Sequence, residues 1–275
     1  MTRISRMALV AALGLSSSSA LAGSSESAGA APFQIAKRGE PLDPRNLFSE
    51  GLFRLDTTFF FDISGGGERG RIFLSPDFWY RLHEKLAVGL VHSSYASTGF
   101  YGLPSGICVM NCEDFDDPID TYNNIGGRAL LRLTEAEKNL TLAADAGLIL
   151  GPFNPTEAEL RAGVAGSYRH RDWIFEFNPA VHIALKDRNQ YDDFLLVPVT
   201  VRYLLIPELS LDVQSGVWGA LADFGDAWTV PLSFGGMYRV EWFGVGLRFT
   251  FPAAAMAEGD AFEHLTVDLV TSFWF

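Results

Sequence analysis

From Leu47 to the last residue the chain alternates between apolar and polar positions with a period of two. In residues 52–63, LFRLDTTFFFDI, one face carries Phe53, Leu55, Thr57, Phe59, Phe61 and Ile63, and the other carries Arg54, Asp56, Thr58 and Asp62. Residues 139–150, NLTLAADAGLIL, set Leu140, Leu142, Ala144, Ala146, Leu148 and Leu150 against Thr141, Ala143, Asp145 and Gly147. Residues 172–185, DWIFEFNPAVHIAL, set Trp173, Phe175, Phe177, Val181, Ile183 and Leu185 against Glu176, Asn178, Ala180 and His182. A period of two is the signature of a strand with unlike faces. The pattern recurs near 71–82, 86–95, 124–133, 157–168, 193–203, 208–217, 228–240, 242–251 and 263–275. That predicts an all-β fold of about twelve antiparallel strands, each of about ten residues, with ten or fourteen strands also open.

An apolar face can be turned into a core or out to lipid. The polar faces favour the second arrangement. They carry isolated Arg and Asp at mid-strand, with glycines such as Gly126, Gly147, Gly163, Gly216, Gly235, Gly244 and Gly246. A solvated surface favours Lys, Glu and Thr, whereas a confined lumen favours small residues and paired charges. The connections also alternate in length. Short ones fall at His83-Glu84-Lys85, Thr134 to Lys138, Arg169-His170-Arg171, Ile206-Pro207-Glu208 and Glu241. The intervening ones, such as Ala96 to Asn123 and Trp218 to Ala227, are mostly longer. Trp79, Tyr80, Tyr168, Trp173, Trp228, Tyr238, Trp242 and Trp274 stand near strand ends, as an interfacial girdle requires.

The beginning of the chain has a different pattern. Arg3 and Arg6 precede an apolar run from Met7 to Leu15, and Ala20-Leu21-Ala22 follows as a small-x-small cleavage site. Residues 1–22 therefore read as a secretory signal peptide. Residues 23–46, rich in Ser, Ala, Pro and Gly, read as a flexible lead-in. The whole chain has a formal net charge of −12, and loss of Arg3 and Arg6 makes the mature protein −12 − 2 = −14. That sign disfavours a nucleic-acid partner. Hydrophobic content is 48%, yet the mature part has no apolar run long enough for a transmembrane helix.

The leader, the alternating strands and the terminal segment TVDLVTSFWF together resemble a Gram-negative outer-membrane β-barrel, an up-and-down barrel over residues 47–275. The resemblance implies export to the outer membrane, contact with its lipid and lipopolysaccharide, and insertion by the barrel-assembly machinery. It also implies that Phe273 and Phe275 act as the insertion signal of the last strand. In that register the inward face holds Arg54, Arg81, Arg128, Arg132, Arg161, Arg202, Arg239 and Arg248. Facing them are Asp56, Asp62, Asp77, Asp145, Glu159, Glu176, Asp212 and Asp268, so the lumen is near neutral and its charges are expected to pair.

Candidate chemistry is sparse. Cys108 and Cys112 lie in the longest loop and, in an oxidising compartment, are expected to form a local disulfide. Glu113, Asp114, Asp116, Asp117 and Asp120 follow, either as a solvated acidic tip or as a weak site for divalent cations; no other metal site and no cofactor is expected. His92-Ser93-Ser94 resembles the His-x-Ser fragment of outer-membrane phospholipases and lipid A deacylases, which would make His92 a base and Ser94 a nucleophile on the barrel exterior. Tyr95-Ala96 replaces the Asn-Gly that follows that fragment in those enzymes, and the reading leans away from an enzyme. The expected function is a narrow passive pore or a closed barrel with a surface-binding loop, with an outer-membrane lipid hydrolase as the alternative.

Overall fold

A computed structural model describes residues 53–63, 70–110, 122–134, 139–153, 156–185, 192–257, 261–262 and 264–275. The leader, the lead-in and the acidic run from Glu113 to Asp120 lie outside them. The strands are β1 (Phe53–Asp62), β2 (Ile72–His83), β3 (Leu86–Val91), β4 (Gly106–Met110), β5 (Tyr122–Asn123), β6 (Ile125–Arg132), β7 (Leu140–Phe153) and β8 (Thr156–His170). They continue as β9 (Trp173–Phe177), β10 (Ala180–Ala184), β11 (Phe194–Ile206), β12 (Leu209–Ala220), β13 (Trp228–Val240), β14 (Phe243–Met256) and β15 (Thr266–Trp274). One short helix, α1 (Ser94–Thr98), stands between β3 and β4.

The strands form one closed antiparallel barrel of twelve staves with two extra strands. β9 and β10 are the two halves of one stave, both flanked by β8 and β11. The ladder breaks at Asn178-Pro179, where proline has no N–H to donate, although the Pro179 carbonyl still accepts from the Val164 N–H at 3.0 Å. The barrel closes where β1 meets both β2 and β15, in a register that sets Arg54 opposite Trp274 and Asp62 opposite Thr266. Two backbone hydrogen bonds between Phe53 and Phe275, 3.2 and 2.9 Å, complete the seam at its end. The extra strands β4 and β5 stack on the loop end of β2, with Phe73 opposite Cys108.

Alternation sorts the side chains as the period-two pattern predicts. Leu148, Leu160, Val213, Phe234 and Leu247 are exposed on the outer surface. The polar positions between them point inward. Of the sixteen charged residues expected in the lumen, Asp56, Asp77, Arg128, Arg132, Asp145, Arg161, Glu176, Arg202, Asp212, Arg239, Arg248 and Asp268 are buried. Arg54, Asp62, Arg81 and Glu159 are partly buried on the same parity.

Two residues expected in the girdle are not there. Trp79 and Trp274 share the inward parity of Asp77 and Asp268 and are buried, at 7% and 6% exposure. A strand side chain cannot change faces without breaking register. Both rings instead lie under cations: Arg239 sits 3.6 Å and Arg54 5.8 Å from the Trp274 ring, and Arg128 sits 5.8 Å from Trp79. Tyr80, Tyr168, Trp173, Tyr238 and Trp242 are exposed outward.

Candidate functional site

The main departure from the sequence reading is at the end of β3. The pattern there predicts a strand to Tyr95 followed by an external loop. The strand stops at Val91 because Asp77, the inward carboxylate of the neighbouring β2, captures the chain. One oxygen accepts from the backbone N–H groups of His92 (2.6 Å) and Ser93 (2.9 Å), and the other from the Ser93 hydroxyl. The Ser93 oxygen also accepts from the Ala96 N–H at 3.0 Å, so Ser93 is the N-cap of α1. Gly99 ends the helix with φ +90°, and a Cβ there would lie 2.6 Å from the Pro198 ring, so both backbone and space require glycine.

Beyond α1 the segment crosses the lumen. The Tyr101 N–H donates to Gln214 Oε1 at 3.1 Å, and Gln214 Nε2 donates to the Gly99 carbonyl at 3.0 Å. Gln214 also holds Thr200, at 3.0 Å. Gln214 is on β12, six staves from β3 in either direction round the ring. Residues 92–105 thus reach from one wall to the diametrically opposite one. Gly102 packs against β14 and β15, where an added Cβ would meet Thr250 Cγ2 at 2.4 Å. Tyr95 and Tyr101 stack at 4.0 Å beside Met237 and Val270, and Arg248 lies 4.1 Å from the Tyr101 ring. The chain then returns to β2, where the Ser105 carbonyl accepts from the Ser75 hydroxyl and the Ser105 hydroxyl accepts from the Ser94 N–H at 2.8 Å.

Two charge networks on the wall support this strap. Asp145 receives Arg128 through two guanidinium nitrogens, at 2.7 and 2.5 Å, and Arg161 Nε at 2.9 Å. Each arginine then extends to the strap: Arg128 Nη1 donates to the Ala96 carbonyl and Arg161 Nη1 to the Ser97 carbonyl at 2.8 Å. Bidentate pairing keeps the guanidinium planes fixed while the remaining N–H groups face the strap. In the second network Asp212 is held by both terminal nitrogens of Arg248, with Arg202 Nε at 3.6 Å, and Arg202 also lies 3.4 Å from Glu176. Arg248 on β14 reaches Asp212 on β12 across Gly235 of β13, the register partner of both. A Cβ at Gly235 would lie 2.7 Å from Arg248 Cγ, so the inward glycine makes this pairing possible. At the turn end Arg54 pairs with Asp56 at 2.8 Å.

His92 and Ser94 do not sit on the lipid-facing wall. Both are 4% exposed. His92 Nδ1 is engaged by the Pro76 carbonyl, and burial holds the imidazole below its ordinary pKa. Ser94 is the first residue of α1. Cys108 is buried in β4 between Phe60 and Phe73, while its expected partner Cys112 lies outside the described residues. So do Glu113, Asp114, Asp116, Asp117 and Asp120; among the described residues no group of three or more His, Cys, Asp or Glu is placed to hold a metal ion. Phe273 packs on Phe243 of β14 at 5.2 Å, and Phe275 packs on Phe53 at the closing seam at 6.0 Å.

Sequence reasoning missed Asp77 as an anchor, Gln214 as a clamp, and the inward course of residues 92–105. One signal was available. Between His92 and Glu113 there is no charged residue, although the chain as a whole is 20% charged. An uncharged stretch with three glycines at positive φ (Gly99, Gly102 and Gly106) suits a packed segment better than an exposed loop.

A closed ring of tilted antiparallel strands, apolar outside and charge-paired within, is the architecture of the outer-membrane β-barrels, and at the level of that class the fold is settled. No family model and no curated protein matches the sequence. Among solved structures, a KdgM porin aligns over 81% of this chain and 99% of its own, with a TM-score of 0.51 and 5% identity. A KdgM porin in complex with disordered oligogalacturonate aligns over the same shares at 0.50 and 6%. Omp33 of Acinetobacter baumannii aligns over 82% of this chain and 99% of its own at 0.44 and 10%. At such identities the likeness to the KdgM porins establishes a shared fold.

Proposed function

We propose that the chain is a narrow passive pore of the outer membrane, constricted by its own segment 92–105. The strap clamped by Gln214 on the wall opposite its origin carries this reading. It divides the lumen, and its carbonyls are bonded to arginines that are themselves paired. Little free charge remains on the inner wall, where eight arginines face eight carboxylates. One KdgM structure holds oligogalacturonate; a balanced lumen gives this chain no surplus of positive charge for a polyanion. We assign it small neutral and weakly cationic solutes, with the preference coming from the acidic run at residues 113–120.

In this reading the leader 1–22 is removed on export. The assembly machinery reads the strand ending in Phe273 and Phe275, and the barrel rests in lipid and lipopolysaccharide with its long loops outside. A disulfide between Cys108 and Cys112 braces the long loop that contains them. Planar-bilayer recording of the purified protein tests the proposal. Low conductance with weak cation preference is expected. A large, porin-sized conductance or a strong anion preference refutes it.

A further inference from the structure

Between the strap and the loop ends of β7, β8, β10, β11 and β12 lies a cavity of about 170 Å³. Its walls are apolar and aromatic: Phe100 and Leu103 from the strap, Ile149, Phe194, Leu196 and Trp218 from the barrel. Among the described residues, Glu159 and His182 are the ionisable side chains that line it. We propose that this vestibule is a binding site for a small organic cation, an ammonium group carried on an apolar body about the size of one aromatic ring.

Its hydrogen bonds fix the proton on His182. Arg161 Nη1, 2.9 Å away, donates to Nε2, which leaves Nδ1 to donate to Glu159 Oε2 at 2.7 Å. That is the one hydrogen bond recorded for the Glu159 carboxylate among the described residues. The side chain keeps 22% of its surface exposed, so its other oxygen is open to a donor from the cavity. Among the described residues no Lys or Arg lines the space. Arg161, the cation nearest in the network, is fully buried, with Asp145, Asn178, His182 and the Ser97 carbonyl as acceptors. Ser97 and Thr98, at the end of α1, also line the space. Among the described residues, the charged group that faces the cavity is therefore the Glu159 carboxylate.

The walls select the rest of the ligand. Phe194 and Trp218 stand with ring centroids 6.2 Å apart at 44°, and Phe100 adds a third ring. Aromatic faces attract a cation and bury an apolar body. An apolar cavity of about 150 Å³ admits benzene, which sets the scale. A carboxylate offers an ammonium both charge and acceptor, whereas an anion would meet the like charge of Glu159. The inference concerns the vestibule alone and holds whether or not the barrel conducts.

Titration calorimetry of the full-length, detergent-folded protein with benzylammonium, benzyl alcohol and benzoate tests it. Benzylammonium is expected to bind, and the other two much more weakly. Glu159→Gln, which keeps an acceptor for His182, should weaken benzylammonium binding about tenfold or more. Leu103→Trp, which fills the cavity from the strap, should abolish binding. Heat-modifiable gel migration confirms that each variant is folded; if Glu159→Gln does not fold, Leu103→Trp carries the test. No benzylammonium binding at millimolar concentration overturns the proposal. So does equal affinity for benzoate, or unchanged affinity in a folded variant.

Discussion

The clamp at Gln214 offers the sharpest test of the constricted lumen. Gln214→Leu preserves approximate volume but removes both functions of the amide. The Tyr101 N–H and the Gly99 carbonyl, bonded at 3.1 and 3.0 Å, are then left without partners on the β12 wall. Gln214 is 2% exposed, so water is a poor substitute while the strap stays docked. Each buried polar group left unsatisfied costs about 1–3 kcal/mol. Taking about 3 kcal/mol for the two, the ratio of docked to released strap falls by roughly a hundredfold. The strap is tethered at His92 and Gly106, so release swings its tip away from the far wall while the barrel ladder stays intact. Single-channel recording should show higher mean conductance and resolved transitions between two levels, absent in the parent protein. Heat-modifiable migration should be unchanged. A folded Gln214→Leu protein with the parent's conductance and noise would refute the constriction.

Four further outcomes are expected. Asp145→Ala leaves Arg128 and Arg161 buried without their shared carboxylate and should destabilise the barrel by about 3–5 kcal/mol, read as a lower urea midpoint. Replacing Phe273 and Phe275 together by Asp should prevent closure of the seam and leave the protein in the periplasm; normal levels of heat-modifiable protein in the outer membrane would remove the insertion role. Cys108 and Cys112 should resist thiol labelling until a reductant is added, and immediate labelling in intact cells would exclude the disulfide. Ser94→Ala should leave lipid turnover by the purified protein unchanged and at background; turnover that disappears in this variant would favour the hydrolase reading over the pore.

The sequence by itself determined the barrel and the side to which each strand residue points. The reason is local: successive side chains on a strand alternate strictly, so the parity of Arg128, Asp145 or Leu148 follows once the apolar face is known to meet lipid. Parity also decided against two girdle assignments, since Trp79 and Trp274 carry inward numbers. What parity cannot express is distance across the lumen. Tyr101 and Gln214 are 113 residues apart, and their hydrogen bond exists because closure brings β3 and β12 face to face. Arg248 reaches Asp212 because Gly235 lies between them in register, a relation among three strands that no single strand records. The end of β3 at Val91 likewise depends on Asp77 of the neighbouring stave competing for the backbone N–H groups of His92 and Ser93. Alternation is a property of one strand and can be read along the chain; the strap, its clamp and the vestibule beneath it arise from contacts between distant staves, and only the closed barrel brings those together.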